Sequence, residues 1–159
     1  GDPLSLVGQN GGTVFFVDST GNVHYSGMLE SDTRAGNGTT IASFSPRSTR
    51  PTVEDTGNAR LTGGGASVAF DPALAASIDT SASYDVFLTP DGDTRGLYVA
   101  SKTSRGFTVR ESQGGRSSVA FAYRIVAVAA GHATQRMSAV DPNVLPHVDV
   151  PDVLARRRR

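Results

Sequence analysis

Apolar and polar residues alternate through most of the second half of the chain. Over 83–89, Tyr84, Val86 and Leu88 fall on one face of a strand. The longest alternating run is 117–129. Val119, Phe121, Tyr123 and Ile125 share one face, while Ala120, Ala122 and Arg124 share the other, which turns apolar again at Val126 and Val128. A strand apolar on one side at its start and on both at its end passes from a half-exposed to a fully buried position. Shorter runs at 52–55, 58–62, 66–70, 97–101 and 107–111 are separated by turn residues, among them Thr56-Gly57 and Gly63-Gly64-Gly65. One helix start interrupts them. Asp71 can cap the first amides of 72–78, and Pro72 at the first helical position loses no needed donor. Short strands at this spacing predict an all-β fold, an antiparallel β-sandwich or barrel with one short helix.

The first half follows a different pattern. Residues 1–12 are polar and Gly-rich. Thr13–Val17 is then apolar on both faces through Val14, Phe15, Phe16 and Val17, and 23–29 reads as a second strand after the turn residues Asp18-Ser19-Thr20-Gly21-Asn22. Together they predict a β-hairpin. A lone hairpin is marginally stable in water and must pack on something. Residues 30–51 offer only Ile41 and Phe44 as sizeable apolar anchors and read as a linker or a long irregular loop. Residues 132–159 carry Pro142, Pro146 and Pro151 among acids and small apolar residues and read as an extended tail. The expected organisation is a hairpin assembly element at 1–30, a linker at 31–51, an antiparallel β domain at 52–131 and the tail at 132–159.

Charge and composition narrow the function. The chain has 159 residues with 15 Lys and Arg against 15 Asp and Glu. Four of the positives are the terminal Arg156–Arg159, a run that fits an acidic surface, a solvated end or a cleavage signal. A balanced chain is no bulk electrostatic binder of nucleic acid. The absence of Cys excludes disulfides, thiolate catalysis and Cys-ligated zinc. No apolar run approaches the roughly 18 residues of a membrane-spanning helix. Neither a leader nor an initiator Met is present, as expected of a processed chain or a piece of a longer one.

The chemical motifs each have a structural reading. Asp55-Thr56-Gly57 matches the triplet of aspartic proteases, whose two carboxylates share a proton, but it lacks the flanking apolar residues and reads as a hairpin turn. Asp91-Gly92-Asp93 lacks the further oxygen ligands of a calcium loop and reads as a turn. His24, His132 and His147 have no partner at metal-ligand spacing. Asn37-Gly38-Thr39 matches a glycosylation acceptor. There is no nucleophile elbow and no phosphate-binding loop. These readings name no catalytic residue, metal or cofactor. For sugar binding, which stacks a ring on an exposed aromatic, the available set is a tip site of Tyr98 with Arg95, Lys102 and Arg105, although Tyr98 lies on a predicted strand where core packing is the default.

One resemblance adds to this reading. The series Ala66-Ser67-Val68-Ala69-Phe70-Asp71-Pro72, Tyr84-Asp85-Val86-Phe87-Leu88-Thr89-Pro90, Gly106-Phe107-Thr108-Val109-Arg110-Glu111 and Phe121-Ala122-Tyr123-Arg124-Ile125-Val126-Ala127 resembles a β-rich domain. Such domains end long bacterial secreted or surface proteins and phage-tail-fibre-like chains. Val17–Leu29 resembles the short β unit preceding that domain, and in tail-fibre-like proteins such units wind three chains together. The 107–125 stretch is also loosely similar to H-type lectins, which are trimeric sandwiches. The resemblance implies a non-enzymatic fibre or surface module, extracellular or on a virion tail, that assembles with itself as a trimer or filament. Val14, Phe15, Phe16 and Val17 are its expected interface. The alternative it implies is a lectin-like tip recognising a cell-surface glycan.

Overall fold

The computed structural model describes residues 4–9 and 11–137. They divide into a first unit ending at Arg47 and a second unit running from Ser48 to Met137. Every sheet is antiparallel, and none closes into a barrel.

In the first unit, strands β1 (Leu4–Val7), β2 (Thr13–Val17) and β3 (Val23–Tyr25) form a sheet in the order β1-β2-β3. The predicted hairpin is therefore present, with its second strand ending at Tyr25 rather than continuing to Leu29. Its turn is held by Asp18, whose Oδ1 accepts from the backbone N–H groups of Thr20 and Asn22 at 2.9 Å each. The polar, Gly-rich start supplies a third strand that turn content concealed: Leu4-Ser5-Leu6 alternates, and Gly8 and Gly11 close the turn into β2. The segment expected to be a linker or irregular loop contains a hairpin, β4 (Glu30–Arg34) paired with β5 (Thr40–Phe44). Thr, Ser and Ile give it strand propensity, and Asn37-Gly38 supplies the turn, where Thr39 N–H donates to Asn37 Oδ1. Every side chain of both strands is exposed, so no apolar periodicity marked them.

The second unit is sandwich-like. One sheet orders β6 (Thr52–Arg60), β11 (Ala120–Val128) and β8 (Asp85–Pro90) as β6-β11-β8. The other orders β7 (Gly65–Ala69), β10 (Gly106–Glu111) and β9 (Leu97–Thr103) as β7-β10-β9. Their facing sides meet in one core containing Val68, Phe107 and Val109 from one sheet and Phe121, Ile125 and Ala127 from the other. Phe107 packs edge-on against Tyr123 with ring centroids 5.4 Å apart, bridging the two layers. Each fully buried aliphatic or aromatic side chain here contributes about 1.5–3 kcal/mol of transfer free energy. The helix α1 (Pro72–Ser77) forms where predicted, with Asp71 Oδ1 accepting from Ala73 N–H at 2.7 Å, and Leu74 joins the core. β11 is buried on both faces at Ala127 and Val128, as its pattern implies.

One predicted break is absent. Thr56-Gly57 does not turn the chain, and 52–60 is a single strand paired with β11 along its whole length. Gly57 lies opposite Tyr123, and a Cβ at Gly57 would come within 2.3 Å of the Tyr123 hydroxyl oxygen. The glycine makes room for a ring rather than for a bend. Of the expected tail, residues 138–159, with Pro142, Pro146, Pro151, His147 and the Arg156–Arg159 run, lie outside the described residues.

Candidate functional site

The four residues expected to form a tip site are spread over the second unit. Arg95 precedes β9, and its side chain donates to the Gln113 carbonyl at 3.1 Å. Its backbone N–H donates to Glu111 Oε1 at 3.0 Å, while Ser117 N–H donates to Glu111 Oε2 at 2.8 Å. Glu111, only 6% exposed, thereby ties the 93–96 and 112–117 loops together beside a cavity of about 460 Å³. The Arg95 N–H first, and the Ser117 N–H next, hold its carboxyl below the usual glutamate value. Lys102 sits at the other end of β9. Its ammonium donates to the Tyr84 carbonyl and lies 5.4 Å over the Tyr84 ring, lining a different cavity of about 280 Å³. Arg105 is at the exposed β9–β10 turn, where its carbonyl accepts from Phe70 N–H. Tyr98 is 49% exposed and pairs with Arg110 on β10. Strand alternation explains the dispersal: Leu97 and Val99 turn inward, so Tyr98 turns out and shares its face with Arg110 rather than with Arg95 or Lys102.

The first unit concentrates a second kind of feature. Registers Leu4↔Val17, Leu6↔Phe15, Phe15↔Tyr25 and Val17↔Val23 put Leu4, Leu6, Phe15, Val17, Val23 and Tyr25 on one face of the β1-β2-β3 sheet. All six are apolar or aromatic, and Leu4, Leu6, Val23 and Tyr25 are 40–53% exposed. The opposite face carries Ser5, Phe16 and His24. Phe16 stacks on the His24 ring at 4.4 Å and is the single buried side chain among the described residues of this unit. His24 Nε2 is 3.1 Å from Asp18 Oδ2. Hydrogen bonds from the Asn22 side chain first, then from Thr20 and His24, hold the Asp18 carboxyl far below the usual range. The expected quartet therefore divides, with Phe15 and Val17 on the apolar face and, by strand alternation, Val14, 38% exposed, with Phe16 on the other. The sequence reading missed β1, which supplies two of the six residues; the Leu4-x-Leu6 alternation was its only trace.

The motif residues fall as follows. Asp55, expected in a turn, stands inside β6, half-buried, on the face of Tyr123. Burial first, and the Asp55 charge second, push the Tyr123 phenol up. Asp91-Gly92-Asp93 is the bend after β8, with Asp91 N–H donating to the Ala120 carbonyl. His132 Nδ1 lies 2.7 Å from Gln135 Oε1. Among the described residues no three His, Cys, Asp or Glu side chains stand together as a metal site, and no helix is long and apolar enough to cross a membrane.

Fold and site together define an all-β protein with one well-filled sandwich-like unit and one small unit whose apolar sheet face is open. Comparison with family models, with curated proteins and with solved structures finds no match.

Proposed function

We propose that this chain is a non-enzymatic structural module of an extracellular fibre or surface appendage, assembling with copies of itself through the β1-β2-β3 sheet, and that the assembly is a trimer. The observation that carries this reading is the six-residue apolar face. Three short strands with one buried side chain among the described residues cannot offset the entropy of ordering them. Met28, Leu29, Ile41 and Phe44, all at least 50% exposed, add further uncovered apolar surface to the same unit. Concentrated exposed apolar surface of this kind marks an interaction site.

A second copy suits the face. It carries no carboxylate, ammonium or guanidinium, so two copies meet without like charges and without desolvating an ion. Three copies around an axis would turn every face inward and leave none to recruit further chains, the closure that cyclic symmetry provides. The resemblance to tail-fibre-like chains supports three copies and an extracellular or virion setting. The second unit, with its own core, is then the displayed knob, and multivalency strengthens any contact it makes.

The test is solution mass by light scattering after size exclusion, for the full chain, for Leu6→Asp and for residues 48–137. The expected result is a trimer for the full chain and monomers for the other two. A monomeric full chain at tens of micromolar would overturn the proposal.

A further inference from the structure

The outer face of the β7-β10-β9 sheet carries a feature independent of assembly. Pairings Gly65↔Arg110 and Arg110↔Tyr98 place an aromatic ring, a guanidinium and a residue without a side chain in one row across three strands. The next row on the same face is Ser67, Thr108 and Ser101, with Ser101 Oγ 2.6 Å from Thr108 Oγ1. At the β7 side the rows open into a groove of about 630 Å³, whose lining includes Arg110, Arg60, Gly65, Ser67 and Thr108 and no acidic residue. That volume lies within the range of small-ligand sites, about 300–1,000 Å³. Arg60 spends one N–H on the Ser118 carbonyl at 2.7 Å, which fixes it at the rim. Neither Arg60 nor Arg110 is paired with a carboxylate among the described residues, whereas Arg124 is, through Glu54 at 2.7 Å.

We propose that this sheet face binds an acidic saccharide whose anionic group is held in the groove by Arg110 and Arg60 and whose sugar ring stacks on Tyr98, which stands outside the groove lining, next to Arg110 on β9. Sugars present an apolar ring face with polar edges, which matches an exposed aromatic flanked by hydroxyls. A guanidinium fork matches a planar carboxylate in two parallel hydrogen bonds. Two uncompensated guanidiniums more than balance the charge of one anionic group. They are too few for a phosphodiester backbone, which needs several such contacts in a line. Gly65 leaves the approach over β7 open, where any side chain would stand beside Arg110.

Isothermal titration calorimetry on the full chain tests this with tetragalacturonate, a sulfated dextran oligomer, neutral maltotetraose and a short DNA duplex. The expected result is saturable binding of tetragalacturonate that weakens with added salt, no binding of maltotetraose, and a loss of tenfold or more in affinity for both Arg110→Gln and Tyr98→Ala. Both residues are on the solvent face, so thermal melts of these variants are expected to match the parent. Binding of sulfated dextran with the same two dependences keeps the groove and assigns the anion as sulfate. No binding of either acidic saccharide at millimolar concentration, binding indifferent to Arg110→Gln, or equal competition by the DNA duplex would overturn it. Each outcome is read without reference to oligomeric state, so failure here leaves the assembly proposal standing, and the reverse.

Discussion

Glu111 is the buried carboxylate among the described residues, and two backbone N–H groups satisfy its two oxygens. Both favour the ionised form. A carboxyl whose folded value lies below its unfolded value of 4.5 adds stability that is complete above that value. The contribution is lost as pH falls through the depressed folded value. Glu111→Gln removes it at neutral pH. The urea midpoint of the variant is therefore expected to lie below that of the parent at pH 7 and to approach it at pH 3; an equal gap at both would mean the charge is not what holds the loops. Glu111 was legible from its sequence only as a strand residue. Its partners are amides of two loops whose direction no side-chain pattern encodes. Asp71 was legible because a helix cap is satisfied two residues away, at Ala73. Tyr98 reads from the sequence as a strand aromatic for which core packing is the default, whereas the structure leaves it exposed; its neighbour Arg110 comes from another strand, and only the register of β9 on β10 brings them together.

At the scale of elements, β6 shows how packing overrides turn chemistry. Thr56-Gly57 has the composition of a turn, but nine consecutive pairings to β11 hold it straight, and the Tyr123 ring fills the space a side chain would take. Gly57→Ala is expected to force the ring aside and to destabilise the second unit by about 1–3 kcal/mol, the cost of overpacking a filled core. Chemical denaturation followed by near-ultraviolet circular dichroism measures it. The loss should shrink in a Tyr123→Leu background, where the two changes couple. Strands β8 to β10 and the first part of β11 were readable because one side of each is at least partly buried and the other more exposed, which writes itself as alternation. The β4–β5 hairpin was not, since a strand exposed on both faces leaves no apolar period. The N-terminal β1 fell between: its alternation spans two leucines inside a stretch of turn residues, too short to outweigh them.

At the scale of the whole molecule, buried side chains are unevenly shared. Among the described residues the second unit holds an eleven-member core including Phe121 and Leu61 at 0% exposure, while the first holds Phe16. On the proposed self-assembly the two units melt with different molecularity. Folding of the second unit is unimolecular, so its melting temperature should stay fixed when the sample is diluted a hundredfold. In that assembly order in the first unit depends on chains meeting, so its melting temperature should fall as the sample thins, by mass action. Calorimetric scans over a dilution series would show one stationary and one sliding transition; two stationary transitions would mean that the first unit holds itself together. A chain that assembles as proposed would sense its own abundance. Where copies are sparse it would be a folded knob with a loose strand ribbon, and where they are crowded the ribbon would set.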